Sequence, residues 1–208
     1  MIELFGDATG NSIRAAIALE ESGLTFEPRK VALARGEHRA AQYLQLNPTG
    51  RVPTLVDSDG PGGERLVLTQ SNAIMLYIAE KSGTLLPSSA VERARALEWL
   101  FFFVTDVIAP NAQAFILSRD STAAHGDAVR RLKERAFALY EHVDRRLAER
   151  PFLAGRVFTL ADIAGYTITT ASESELRWEA LPHVRGWLER VGARPAVERG
   201  RRLFRSDA

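Results

Sequence analysis

The pattern of hydrophobic residues changes once along this chain of 208 residues. Up to about residue 82, short runs typical of β-strands alternate with helical patterns, whereas the patterns after residue 90 have the spacing of α-helices. Such a change predicts a mixed α/β domain followed by an all-helical domain. We place the first domain at 1–82, a linker at 83–89 and the helical domain at 90–208.

The first domain contains four strand-like runs and three helical patterns. They occupy residues 2–5 (strand), 12–22 (helix), 26–31 (strand), 37–46 (helix), 54–57 and 65–68 (strands), and 71–81 (helix). The last two strands flank a glycine-rich turn and so predict an antiparallel hairpin. The order βαβα-ββα within about 80 residues is that of a thioredoxin-like domain, which defines a fold but not a function.

The second domain is predicted to contain two long helices, at 90–118 and 127–149, and shorter ones nearer the end of the chain. Thr159 precedes Asp162 by three residues, which predicts a capping box that starts a buried helix. Four aromatic residues accompany the first long helix, namely Trp99, Phe102, Phe103 and Phe115. They fit the wall of a hydrophobic substrate site, a core or a subunit interface, and we favour an interface for part of them.

Composition excludes several classes of function. With 27 Lys and Arg against 26 Asp and Glu, the net charge of +1 gives no general attraction to nucleic acid or to an anionic membrane. We interpret the basic residues at the end of the chain as a solvated tail, namely Arg199, Arg201, Arg202 and Arg205. The absence of cysteine excludes disulfides, thiolate metal sites and a catalytic cysteine, so any thiol chemistry must use a thiol from outside.

The sequence begins without the basic and apolar regions of a signal peptide, and no run reaches about 18 uninterrupted apolar residues. We therefore expect a cytoplasmic protein that does not bind membranes.

Two predicted helices begin with small polar residues. Thr9, Asn11 and Ser12 lie at the start of the first helix, and Gln70 and Ser71 lie at the start of the third. The free N–H groups and the dipole at a helix N-terminus favour an anion. The alternative is that these residues only cap their helices, Asn11 or Ser12 in the first and Thr69 or Ser71 in the third. A third feature is Val52 followed by Pro53 directly before a strand. Together the three features favour a peptide ligand whose carboxylate lies at one helix N-terminus and whose thiolate lies at the other.

Over essentially its whole length the chain resembles the cytosolic glutathione S-transferase superfamily. The likeness rests on the order and spacing of five segments, at residues 9–12, 47–55, 70–78, 152–163 and 181–184. The loop at 9–12 lacks the catalytic tyrosine or cysteine of several classes. It is most similar to bacterial members with a Thr-x-Asn loop, so the resemblance makes Thr9, Asn11 and Ser12 the candidates for contact with the glutathione sulfur.

The resemblance also implies how glutathione binds. Pro53 matches a cis-proline that lets the backbone of Val52 pair with the cysteinyl unit of glutathione. Ser71, together with Gln70, matches the pair that holds the γ-glutamyl carboxylate, although many members have an acidic residue in place of Gln70. The glycyl carboxylate is expected at two further residues, His38 and Arg51.

The resemblance therefore implies a homodimeric glutathione transferase of the detoxification type. Glutathione is its cosubstrate, no metal is needed, and the thiolate attacks a small hydrophobic electrophile. Two alternatives remain open: a glutathione-dependent disulfide reductase or peroxidase, and a non-catalytic interaction module that keeps the fold.

Overall fold

A computed structural model describes residues 1–119 and 125–205. These residues form two compact units, one containing residues 1–86 together with the segment from Ala193 onward, and the other containing residues 87–192. Residues 120–124 and 206–208 of the predicted helical domain lie outside the described residues. The predicted fold class, an α/β unit followed by a helical unit, is confirmed. Residues 193–205, which the sequence predicts in the helical domain, pack in the first unit instead.

A four-stranded sheet forms the centre of the first unit. Its strands are β1 (Ile2–Gly6), β2 (Phe26–Lys30), β3 (Thr54–Asp57) and β4 (Leu66–Thr69), in the order β2-β1-β3-β4. The parallel pair β1 and β2 requires a crossover, which α1 (Gly10–Ser22) provides, and β3 and β4 form the expected antiparallel hairpin. Leu55 pairs with Leu4 and with Leu68, and Leu4 and Leu55 are fully buried.

The other two helices predicted for this unit are α2 (Ala41–Leu46) and α3 (Ser71–Ser82). The second predicted helix is shorter than expected because residues 37–39 form a 3-10 turn and Ala40 is extended. His38 therefore lies in a turn before α2 instead of on the helix.

The helical unit contains α4 (Ala90–Phe101), α5 (Ala109–Arg119), α6 (Gly126–Ala138), α7 (Tyr140–Glu149), α8 (Leu160–Ala171) and α9 (Pro182–Gly192). The two long predicted helices are both interrupted. A π-helical stretch, Phe102–Ile108, joins α4 to α5, and Leu139 separates α6 from α7 although its own φ and ψ remain helical. Hydrophobic spacing does not detect either interruption because apolar positions continue across both.

The C-terminal segment forms α10 (Pro195–Arg202), which packs against α1. A Cβ atom at Gly200 would lie 2.7 Å from the backbone of Ile17, so glycine allows the two helices to approach closely. Arg199 forms an ion pair of 2.6 Å with Glu20 of α1. Arg199 is thus part of a packed helix and not of the solvated tail that the sequence predicted, because its local charge pattern does not reveal tertiary packing.

The aromatic residues near α4 divide between the interior and the surface. Phe103 is fully buried, Trp99 retains 6% of its exposure and Phe102 is half-buried, whereas Phe115 is 60% exposed. Phe103 therefore belongs to the core and Phe115 to the surface, so the four do not form one common wall.

Residues Ala90–Arg119 are the one helical stretch in the described ranges that is long and apolar enough to cross a membrane by length and composition. Only 22% of its most apolar window is buried. Its exposed large apolar side chains are Val91, Phe101, Phe115 and Ile116.

A fully buried carboxylate, Asp162, fixes the start of α8. Its Oδ2 accepts a hydrogen bond from the N–H of Thr159 at 3.0 Å, which confirms the predicted capping box. Its Oδ1 accepts bonds from the N–H of Leu153 and from Nε1–H of Trp187, both at 2.9 Å. Burial raises the pKa of Asp162 to about 6, and these bonds, which favour the anion, oppose the rise. One carboxylate thus joins α8, α9 and the segment before α8.

We expect Asp162→Asn to lower the free energy of unfolding by about 2–4 kcal/mol, because the amide NH₂ would face buried donors and leave them unpaired. Urea unfolding of the full chain measures this change. The matched control is Asp106→Asn, at an exposed aspartate, with an expected change within about 0.5 kcal/mol. Equal midpoints for Asp162→Asn and the parent would contradict the structural role of Asp162.

Candidate functional site

The start of α1 is organised by two hydroxyl groups. Thr9 is the N-cap, and its Oγ1 accepts a hydrogen bond from the N–H of Ser12 at 3.2 Å. The Thr9 hydroxyl donates to Oγ of Ser12 at 3.0 Å, and Ser12 Oγ also accepts from the N–H of Asp7 at 3.4 Å. The helix therefore begins at Gly10, two residues before the predicted start, and Thr9 caps it instead of Asn11 or Ser12.

These positions differ in their access to a ligand. Ser12 is fully buried, whereas Thr9 is partly exposed and Asn11 is exposed. The first amides of a helix have no intrahelical acceptor, so those of Gly10 and Asn11 also face outward at this end of α1. Thr9 and Asn11 can thus contact a bound molecule directly, while Ser12 can act only through Thr9.

A buried arginine that the sequence analysis missed connects this loop to α3. Arg14 is only 3% exposed, and its Nη1 donates to Oδ1 of Asn11 at 2.8 Å and to Oγ of Ser71 at 3.0 Å. Burial lowers the pKa of the Arg14 guanidinium to about 10, so the side chain remains a cation at neutral pH. The sequence signal for this residue was its position, because Arg14 is the one charged residue in the apolar run from Ile13 to Leu19.

The start of α3 brings Ser71 to the same place. Ser71 is 5% exposed, and its hydroxyl donates a long bond of 3.5 Å to Oδ1 of Asn11. The preceding residue, Gln70, is exposed and has φ 70° and ψ 109°. A residue other than glycine at such a positive φ carries about 1–3 kcal/mol of strain, which is typical of ligand-binding positions. Asn11, Arg14 and Ser71, which we call the Arg14 network, therefore join the N-termini of α1 and α3.

The Val52–Pro53 peptide bond is cis. The carbonyl of Arg51 accepts hydrogen bonds from the hydroxyl of Tyr43 and from Nδ2 of Asn47, both at 2.6 Å, and so holds the backbone immediately before this bond. Burial raises the pKa of Tyr43, which keeps its hydroxyl protonated as a donor. Within the described residues, the N–H and C=O groups of Val52 have no hydrogen-bond partner and remain available to pair with an extended ligand.

The two residues predicted to hold a glycyl carboxylate lie in neighbouring segments. Arg51 is exposed. The backbone of Gly50, the residue before it, lies close to His38, because a Cβ atom added to Gly50 would be 3.0 Å from the carbonyl oxygen of His38. Nδ1 of His38 is buried without a hydrogen-bond partner in the described part of the chain. No hydrogen bond among the described residues links His38 or the Arg51 side chain to the Arg14 network.

Across residues 1–119 and 125–205, no three or more His, Cys, Asp or Glu side chains are grouped so that they could hold a metal ion. The chemistry available at the site is therefore that of hydrogen-bond donors, two helix N-termini and one buried cation, all of which favour an anionic ligand.

Comparison with known proteins gives the family. The model of the glutathione S-transferase N-terminal domain matches residues 3–80, and that of the C-terminal domain matches residues 96–195. Glutathione S-transferase 3 of Zea mays is 35% identical over 213 residues, covering 95% of this chain and 92% of that protein. The disulfide-bond oxidoreductase YfcG of Escherichia coli is 33% identical over 199 residues, covering 95% and 93%.

Solved structures agree with these matches. A glutathione transferase family member from Pseudomonas fluorescens, with two glutathione molecules bound, has a TM-score of 0.86 and 28% identity, covering 96% of this chain and 92% of that chain. A glutathione transferase from Pseudomonas putida, with one glutathione disulfide bound per subunit, has a TM-score of 0.88 and 26% identity, covering 97% and 91%. With a family model matched in each half and relatives above 30% identity along 95% of its length, the chain belongs to the cytosolic glutathione S-transferase superfamily.

Proposed function

We propose that this protein binds glutathione and activates its thiol as a thiolate that attacks a small hydrophobic electrophile. The observation that carries the proposal is the Arg14 network, which places donors and a buried cation between two helix N-termini. Related structures with bound glutathione support the choice of ligand.

The first task of such an enzyme is to lower the pKa of the thiol. A free thiol has a pKa of about 8.5, so only a few per cent of it is thiolate at pH 7. Each unit of pKa corresponds to about 1.4 kcal/mol, so a decrease of about two units requires about 3 kcal/mol. One or two hydrogen bonds to the thiolate, together with a helix dipole, supply an effect of this size.

Asn11 and Thr9 are the donors that we propose for the sulfur. Because Oδ1 of Asn11 accepts from Arg14, the amide is oriented so that its NH₂ end is left for a ligand. The Thr9 hydroxyl can turn from Ser12 toward the thiolate, and the Ser12 hydroxyl can then donate to Thr9 in its place. Ser12 thereby supports Thr9 without touching the substrate.

The rest of glutathione would bind along the remaining predicted residues. The γ-glutamyl carboxylate lies at the N-terminus of α3, against Ser71 and Gln70, where the nearby Arg14 cation adds attraction. The cysteinyl backbone pairs with the free N–H and C=O of Val52 beside Pro53. The glycyl carboxylate meets Arg51 and His38.

A second reaction is favoured by specific relatives. The Escherichia coli protein at 33% identity is a disulfide-bond oxidoreductase, and the Pseudomonas putida structure holds glutathione disulfide. In that reaction the same thiolate attacks a disulfide, forms a mixed disulfide with one half of the substrate and releases the other half as a thiol. The thiolate of a second glutathione then attacks the glutathione sulfur of the mixed disulfide, which gives glutathione disulfide and releases the remaining half of the substrate as a thiol. The nucleophile is common to both reactions, and only the atom attacked differs.

A reduced thiol as cosubstrate is consistent with action in the cytoplasm, and removal of reactive electrophiles would be a detoxifying role. We also propose that the protein is a homodimer. The exposed apolar side chains of Ala90–Arg119, including Phe101 and Phe115, provide surface for a second copy.

The first prediction from this proposal concerns the thiolate. Calorimetry should show glutathione binding, and absorbance of the bound thiolate should give a pKa about two units below that of the free thiol. Thr9→Ala, Asn11→Ala or their combination should raise this pKa, and Ser12→Ala should raise it less. Thr25→Ala, at an exposed threonine of the same unit, is the control.

Four outcomes distinguish the possibilities. Turnover with a chromogenic aryl halide supports conjugation, whereas turnover with a small disulfide alone supports the oxidoreductase reaction. If none of the substitutions raised the bound thiol's pKa, the assignment of Thr9 and Asn11 would be wrong. No binding at millimolar glutathione would favour the interaction module.

The second prediction concerns Arg14 as a positioning residue. Arg14→Lys keeps the charge but cannot hold Asn11 and Ser71 together, so glutathione affinity should fall about tenfold and the bound thiol's pKa should rise by about one unit. Calorimetry and thiolate absorbance measure both effects, and circular dichroism verifies folding. Arg65→Lys, at an exposed arginine, should change neither quantity. A folded Arg14→Lys protein with parental affinity and pKa would refute this role.

The third prediction concerns assembly. Light scattering after size exclusion should give twice the 23.0 kDa of one chain. Phe101→Glu should shift the mass toward the monomer, because a charge would replace an apolar contact. Val157→Glu is the matched control, since Phe101 and Val157 are each 54% exposed. A parent protein with the mass of one chain would disprove the dimer.

A further inference from the structure

The C-terminal segment runs back along α1 toward the candidate site. Arg194, at the start of this segment, forms two bonds of 2.6 and 2.7 Å to the carboxylate of Glu21 in the last turn of α1. Gly200 meets Ile17 in the middle of α1. The segment is therefore antiparallel to α1, and Phe204, which follows the end of α10, lies at the start of α1.

The ring of Phe204 packs against the backbone of Gly6, the last residue of β1. A Cβ atom at Gly6 would lie 2.7 Å from Cε2 and 2.8 Å from Cζ of Phe204, and 3.0 Å from Cβ of Ser12. Phe204 is 3% exposed and Ser12 is fully buried. The ring and Ser12 are thus neighbours on the buried side of the loop between β1 and α1, and the lack of a side chain at Gly6 allows the ring to approach.

This packing encloses the hydroxyl group that organises the loop. Oγ of Ser12 accepts hydrogen bonds from the N–H of Asp7 at 3.4 Å and from the hydroxyl of Thr9 at 3.0 Å. A buried hydroxyl that water cannot reach depends on such protein partners. Removal of the Phe204 ring would open a space beside Ser12, and a water molecule there would compete with Thr9 for the Ser12 hydroxyl.

We propose that Phe204 is a positioning residue for the glutathione site, a role that rests on the function proposed above. Its ring holds the segment from Gly6 to Ser12 in place and keeps water from the Ser12 hydroxyl, so that this hydroxyl supports Thr9. Phe204 does not touch the ligand and acts through Ser12 and Thr9. The site in the first unit is therefore completed by the end of the chain, which follows the whole helical unit in sequence.

The main test measures the pKa of the bound glutathione thiol by thiolate absorbance in the full chain. Phe204→Ala should raise this pKa by about one unit, because about one hydrogen bond to the thiolate is weakened. Phe204→Leu keeps most of the apolar volume and should raise the pKa by less than half as much. The control is Val197→Ala, at a fully buried residue of α10 that precedes Gly200 and so lies away from the loop. It should lower the urea midpoint and leave the pKa unchanged.

A double-mutant cycle tests the contact between the ring and the loop. Gly6→Ala should also raise the bound thiol's pKa, because the added methyl group would collide with the Phe204 ring. In Gly6→Ala/Phe204→Ala the ring is absent, so the combined rise should be smaller than the sum of the two single rises. Urea midpoints of the same four proteins without ligand should be non-additive in the same sense, and this measurement does not depend on glutathione.

The outcomes separate this role from the proposed function. A parent protein that does not bind glutathione overturns the proposed function and the role of Phe204 with it. If the parent binds glutathione, the role of Phe204 alone is overturned by a parental pKa in folded Phe204→Ala, by an equal rise in Val197→Ala, or by an additive cycle. Circular dichroism verifies folding. If Phe204→Ala is unfolded, Phe204→Leu takes its place in the cycle and the same criteria apply.

Discussion

The hydrogen bonds from Arg14 to Asn11 and Ser71 are the contacts on which the candidate site depends. They bring a buried cation next to the starts of two helices, each of which already carries a partial positive charge. Placing like charges together inside a protein is unfavourable unless an anion is to be bound there. Our proposal therefore makes this network the receptor for the carboxylate and thiolate groups of glutathione, with the bond from Arg14 fixing the orientation of the Asn11 amide.

In this proposal the site in the first unit is preorganised. The groups that would bind the peptide ligand are backbone groups, helix N-termini and short side chains, none of which needs to move far. The positive φ of Gln70 and the cis bond before Pro53 occur in two of the segments that our proposal assigns to glutathione. A site of this kind selects the nucleophile but places no restriction on the atom attacked. Under our proposal, conjugation and disulfide exchange share the thiolate and differ in the second substrate, and similarity to relatives named for either reaction is compatible with both.

Local patterns were sufficient for most of the fold. The four strands, the stop of α1 at Gly23 and the Thr159–Asp162 capping box all depend on residues close in sequence, and each was predicted. The missed features depend on distant contacts. Arg14 is defined by Ser71, which lies 57 positions away, and the packing of α10 depends on Gly200 meeting Ile17. The sequence likewise indicated polar residues at the start of α1. It did not indicate which of them is the cap, which is Thr9 because its Oγ1 accepts the hydrogen bond from the N–H of Ser12.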